Sequence, residues 1–149
     1  MPKFIYKMEN ILGIKYKMEE QAKIAYGNAR IKLMEEEEKL FSLNKKLVSY
    51  QLKLKVLMSD NLNIIKINQC REGIEVIKSA ITKQQLQVKK AEQLVEARRT
   101  SLNACILERK THEKLKEKAF DSFILDYEGK QRIEIDELVS FKYNSPTVN

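Results

Sequence analysis

The chain has no tryptophan, only two prolines and only four glycines in 149 residues. The prolines are Pro2 and Pro146, so nothing between them removes a backbone donor from a helix. The glycines, Gly13, Gly27, Gly73 and Gly129, stand too far apart to build a phosphate-cradling loop. No GxxxxGK[ST], GxGxxG, HExxH or GxSxG sequence occurs. ATP binding, cofactor binding and catalysis by this chain are therefore not expected. Aromatic residues make up only 7%, a poor recipe for a globular core. The two cysteines, Cys70 and Cys105, do not form a CxxC. On one helix their separation is roughly 50 Å, beyond any internal disulfide, and both read as reduced core residues. No apolar run approaches the ~18 residues of a membrane-spanning helix, and the N-terminus lacks a charged-then-apolar signal pattern. The expected compartment is the cytoplasm.

What the chain does contain is 43% apolar and 33% charged residues, with the apolar ones spread as a stripe. Alternating steps of three and four from Ile5 visit Met8, Leu12, Lys15, Glu19, Ala22, Tyr26, Ala29, Leu33, Glu36, Leu40, Leu43, Leu47, Tyr50, Leu54 and Leu57. Thirteen of these sixteen positions are apolar, a sustained heptad seam. Ser59 to Asn63 interrupts it with small polar residues that favour caps and turns. The seam resumes at Ile67, Cys70, Ile74, Ile77, Ile81, Gln84, Val88, Ala91, Val95, Arg98, Leu102 and Cys105, ten of twelve apolar.

A turn near residue 60 requires antiparallel partners whose numbers sum to about 121. The two seams interlock on that rule: Leu54 with Ile67, Leu47 with Ile74, Leu43 with Ile77, Leu33 with Val88. The sequence therefore predicts an all-α fold, a long two-helix antiparallel coiled-coil hairpin with a C-terminal helical overhang. Helix one is expected over about 3–58, the turn over 59–63, helix two over 64–140, and a disordered acidic tail over 141–149. Glu36 faces Gln84 as a polar layer that fixes register.

Beyond Cys105 the apolar spacing slips to His112, Leu115 and Ala119, which reads as a lost residue, a stammer. A helix one of ~84 Å covers helix two only to about residue 117. The overhang then leaves Phe120, Phe123, Ile124, Tyr127, Ile133, Ile135, Leu138 and Phe141 without a partner, a candidate docking surface. Gly129 is the expected break in this segment. The formal charge of +7 is uneven, since residues 119–149 carry 3 basic and 6 acidic side chains while the rest carry 25 and 15.

Other candidate sites carry bland readings. His112 reads as a packed helical histidine and no metal constellation exists. Glu35 to Glu38 fan around the helix as a solvated face. The basic stretch from Arg109 to Lys118 is diluted by Glu113 and Glu117 and has no interleaved aromatic, which argues against nucleic acid. A basic coiled-coil nucleic-acid binder remains the alternative from a different class.

The segment Glu108-Arg109-Lys110-Thr111-His112-Glu113-Lys114-Leu115-Lys116-Glu117-Lys118 resembles the late helix-two segment of the FliJ family of flagellar export proteins. Phe4 with Ile11, Leu12 and Lys15 resembles the family's opening, and Asp136-Glu137-Leu138 its close. The resemblance covers nearly the whole chain. It implies a non-enzymatic cytoplasmic component of the flagellar type III export apparatus, without cofactor, serving flagellum assembly and motility. It further implies a central-stalk-like adaptor that docks into and stimulates a hexameric export ATPase and links it to the cytoplasmic part of the membrane export gate. Export chaperones are a further class of partner, and the stalk of a virulence type III system is the related alternative. On this resemblance the ATPase contacts are Phe4, Arg109, Lys110, Lys114, Phe123 and Leu138. The gate contacts are Leu43, Tyr50, Ile77 and Ala80, and the protein sits peripherally at the inner face of the cell membrane.

Overall fold

The computed structural model describes residues 2–59 and 63–144, and for Asn144 the backbone alone. Two helices account for nearly all of it, α1 over Glu9–Ser59 and α2 over Ile64–Asn144, and no strand occurs among the described residues. The fold is the expected two-helix antiparallel coiled-coil hairpin with a helical C-terminal overhang. Residues 60–62 of the expected turn and 145–149 of the expected acidic tail lie outside the described residues. Asn63 caps α2: its Oδ1 accepts the backbone N–H of Lys66 at 3.3 Å, satisfying one of the donors that a helix start leaves open.

Three boundaries differ from the sequence reading. Residues 2–8 are not helical, and α1 begins at Glu9 rather than Lys3. The helix α2 runs through Gly129 without a break and includes residues 141–144 of the segment expected to be disordered. A single exposed glycine costs a helix only about 1 kcal/mol, which a long helix of good formers absorbs.

Every fully buried residue among those described stands on a seam position. These are Leu12, Ala29, Ile67, Cys70, Ile74, Ile77, Ile81, Ala91 and Val95, with Glu19 and Glu36 as the charged members. Both cysteines are free thiols, Cys70 buried and Cys105 partly so.

The chain divides into a terminal unit, Met1–Glu19 with Cys105–Asn149, and a central unit, Glu20–Ala104. In the central unit the contacts Glu36 to Gln84 and Tyr50 to Cys70 have numbers that sum to 120, as the register demands. In the terminal unit the pairs Glu9–Lys116, Lys15–Glu108 and Glu19–Arg109 are again antiparallel, with sums of 125, 123 and 128.

The expected stammer does not occur. In the terminal unit the inward positions of α2 are Cys105, Arg109, His112, Lys116, Ala119 and Phe123, spaced four, three, four, three and four without a lost residue. The apparent slip arises because Arg109 and Lys116 occupy seam positions where only apolar residues are expected.

Candidate functional site

The terminal unit is held by a chain of charge. Glu19 stands at a seam position and is only 5% exposed. The Arg109 guanidinium grips it as a fork, Nε donating to Oε2 at 2.6 Å and Nη2 to Oε1 at 3.2 Å. Its third nitrogen donates to Glu113 at 3.1 Å, and the Tyr16 hydroxyl donates to the other oxygen of that carboxylate. Forked Arg–carboxylate geometry is the strongest common ion pair, because two charge-assisted bonds form at once. The Tyr16 hydrogen bond and then the Arg109 charge hold the Glu113 carboxyl below its ordinary range, while Tyr16 itself is pushed up. Lys15 to Glu108 at 2.9 Å and Lys116 to Glu9 at 2.8 Å flank the layer. His112 Nδ1 and Tyr6 Oη are buried and make no hydrogen bond among the described residues.

Beyond α1 the non-helical segment 2–8 continues the cover. Its Phe4 ring meets Phe120 edge-on at 5.2 Å and Phe123 at 5.4 Å. The cover therefore passes the expected limit at residue 117, and Phe120 and Phe123 have a partner after all. From Gln131 to Tyr143 every residue is exposed, including Ile133, Ile135, Leu138, Val139, Phe141 and Tyr143.

These placements separate the six residues expected at an ATPase contact. Phe4 and Phe123 face each other, and Arg109 is engaged with Glu19. Lys110 and Lys114 lie on the surface, and Leu138, 66% exposed, lies on the uncovered segment.

In the central unit Gln84 Nε2 donates to both the backbone oxygen and the carboxylate of Glu36, and Lys32 reaches the same carboxylate at 2.8 Å. The Lys32 hydrogen bond, followed by that of Gln84, draws the Glu36 carboxyl down from 4.5 to about 2. Its contribution to stability is therefore complete above about pH 5 and disappears as pH falls from 4.5 toward 2. Thermal melts across that window should show the parent chain losing Tm more steeply than a Glu36→Gln variant. Parallel curves would contradict the assignment.

Of the four expected gate contacts, Ile77 is buried, Leu43 and Ala80 are half-buried, and Tyr50 is 37% exposed. The Tyr50 ring lies over Gly73, where an added Cβ would stand 3.0 Å from Cε1, and the Tyr50 backbone oxygen accepts the Cys70 thiol at 3.4 Å. Gly73 thus provides the space that seats the tyrosine. Leu43 also borders a groove of about 540 Å³ with Glu35, Glu38, Lys39, Ser42, Lys46 and Gln84. Tyr26 lies between Arg30 and Arg99, both about 6 Å from its ring centre.

Sequence reasoning missed the Glu19–Arg109 layer and the non-helical start. The first was detectable, since the heptad continues through Arg109 and Lys116 once charge is allowed at a seam position. The second had no helix-breaking residue to announce it beyond Pro2.

Among the described residues, no group of three or more His, Cys, Asp or Glu side chains could hold a metal, and no helix is long and apolar enough to cross a membrane. The family model described as Flagellar FliJ protein matches residues 4–147. No curated protein and no solved structure matches the chain.

Proposed function

The chain belongs to the flagellar FliJ family, whose members are export-related coiled-coil proteins, and from that premise we propose that it is the stalk-like adaptor of a flagellar type III export apparatus. It performs no chemistry of its own, in keeping with a family of non-catalytic adaptors. In this reading the terminal unit docks into the hexameric export ATPase and stimulates it, and the central unit contacts the cytoplasmic part of the export gate. The protein then works in the cytoplasm at the inner membrane face of the flagellar base. The flagellar description of the matched family supports this version over a virulence-system stalk.

One observation supports the docking surface above others. A helix with six exposed large apolar residues between Ile133 and Tyr143 has no cover among the described residues. Several large apolar side chains left exposed on one short stretch of a chain that is otherwise strongly charged are a mark of a protein–protein contact. Lys110 and Lys114 add exposed positive charge on the same unit. The grooves along the rod are open and shallow, which suits a part that is held inside another assembly and not one that encloses a substrate.

The test is ATP hydrolysis by the purified flagellar export ATPase with and without this protein. The proposal expects a higher turnover in its presence and co-purification of the two. Unchanged turnover with no co-purification would overturn it.

A further inference from the structure

One end of the central unit carries a run of positive charge. From Lys45 to Arg71 there are six basic residues, Lys45, Lys46, Lys53, Lys55, Lys66 and Arg71, and one acidic residue, Asp60. Six minus one is +5, out of +7 for the whole chain. All six basic side chains are exposed. None forms an ion pair with a described residue, in contrast to Arg109, Lys15 and Lys116 in the terminal unit. Lys45 and Lys53 rest instead over the rings of Phe41 and Tyr50, at 4.7 and 6.0 Å.

The same stretch exposes apolar side chains that the seam does not use. Val48, Leu52 and Val56 follow one another at intervals of four and, with Phe41, lie on the face of α1 turned away from Leu43, Leu47 and Leu54. Ile64 and Ile65, at the start of α2, are about 70% exposed. Between the helices Lys53 and Lys66 line one groove of about 430 Å³ with Tyr50, Leu57, Gln69 and Cys70, a place where two ammonium groups face the same space.

We propose that this end of the central unit binds the surface of an anionic lipid bilayer. The unpaired ammonium groups lie among the phosphate headgroups, and Val48, Leu52 and Val56, on the outward face of α1, enter the boundary between headgroups and acyl chains. Basic clusters near an anionic leaflet and apolar side chains in the interface act together, and each alone binds weakly. A nucleic acid would engage the charge and leave the apolar residues in water. An acidic protein would need a fixed concavity to match the convex outer face of α1, whereas a fluid interface accommodates it. The inference goes beyond the export reading and does not depend on it, since it concerns a lipid surface and requires neither the ATPase nor the gate.

The test is flotation of the full chain with vesicles of phosphatidylcholine alone and of phosphatidylcholine with added phosphatidylglycerol. Binding should occur to the anionic vesicles and weaken with salt. A Lys45→Gln/Lys53→Gln/Lys55→Gln/Lys66→Gln variant should lose at least about a hundredfold in partitioning, given about fivefold per lysine at an anionic surface. A Lys83→Gln/Lys89→Gln/Lys90→Gln/Lys118→Gln variant of equal charge should lose far less. A Leu52→Ser/Val56→Ser variant, changed only at exposed positions, should bind the anionic vesicles more weakly with its melting temperature unchanged. Equal binding to neutral vesicles, equal loss in the two lysine variants, or indifference to the Leu52→Ser/Val56→Ser change would each overturn the proposal. The last of these would leave a surface that reads charge alone.

Discussion

A chain ended after Lys130 should fold as before and no longer stimulate the export ATPase. The residues removed are exposed from Gln131 to Tyr143. A side-chain hydrogen bond from Gln131 to Tyr127 on the exposed surface is lost with them. Their removal therefore takes away almost no burial, and the melting temperature should change little. Stimulation depends on them in the proposed mechanism, because Ile133, Ile135, Leu138, Val139, Phe141 and Tyr143 find cover only in a partner. A Leu138→Asp substitution is the finer probe. Burying a leucine contributes roughly 1.5–3 kcal/mol, so its loss should raise the half-maximal concentration for stimulation by about 10- to 100-fold. Full stimulation by the shortened chain would place the docking surface elsewhere, with Lys110 and Lys114 as the remaining exposed candidates.

The second large effect concerns stability. An Arg109→Met variant removes both bonds of the fork from a carboxylate that is 5% exposed. Breaking one side of a buried pair is far more damaging than replacing both, because the surviving charge keeps its desolvation cost. The single variant should lower Tm by roughly 5–10 °C, whereas Glu19→Leu/Arg109→Leu should return to the parent value or exceed it. Thermal melts of the two variants decide the matter. Equal losses in both would mean that the layer itself, and not its incomplete breakage, sustains the terminal unit. The double variant also tests what the charge is for. If the Glu19–Arg109 and Glu36–Gln84 layers fix register, the apolar version should be stable yet yield mixed cross-links between cysteines placed on the two helices.

The heptad positions from Leu12 to Cys105 were legible because burial in a two-helix coil is set by spacing alone, and no distant part of the chain can override it. The register followed from the same property, with Glu36 meeting Gln84 and Tyr50 meeting Cys70 where the number sums place them. Reading seam positions as apolar failed in the terminal unit, where Glu19 and Arg109 satisfy each other in the interior and disguise a continuous repeat as a stammer. The non-helical start was hidden for a different reason. Residues 2–8 leave the helix to place Phe4 against Phe120 and Phe123, a tertiary gain that local helix propensity does not register. The candidate docking residues divide along the same line. Leu138, Lys110 and Lys114 could be recognised as exposed from pattern, whereas Phe4, Phe123 and Arg109 could be seen to face inward only once their partners were known.

The most direct measurement is site-specific photo-crosslinking from position 138 in cells that assemble flagella, with a probe at the central-unit position 86, where Leu86 is also exposed, as the comparison. Docking of the terminal unit predicts an adduct between position 138 and the export ATPase, and none from position 86. An ATPase adduct from position 86 alone, or none from position 138 in cells that export normally, would contradict it.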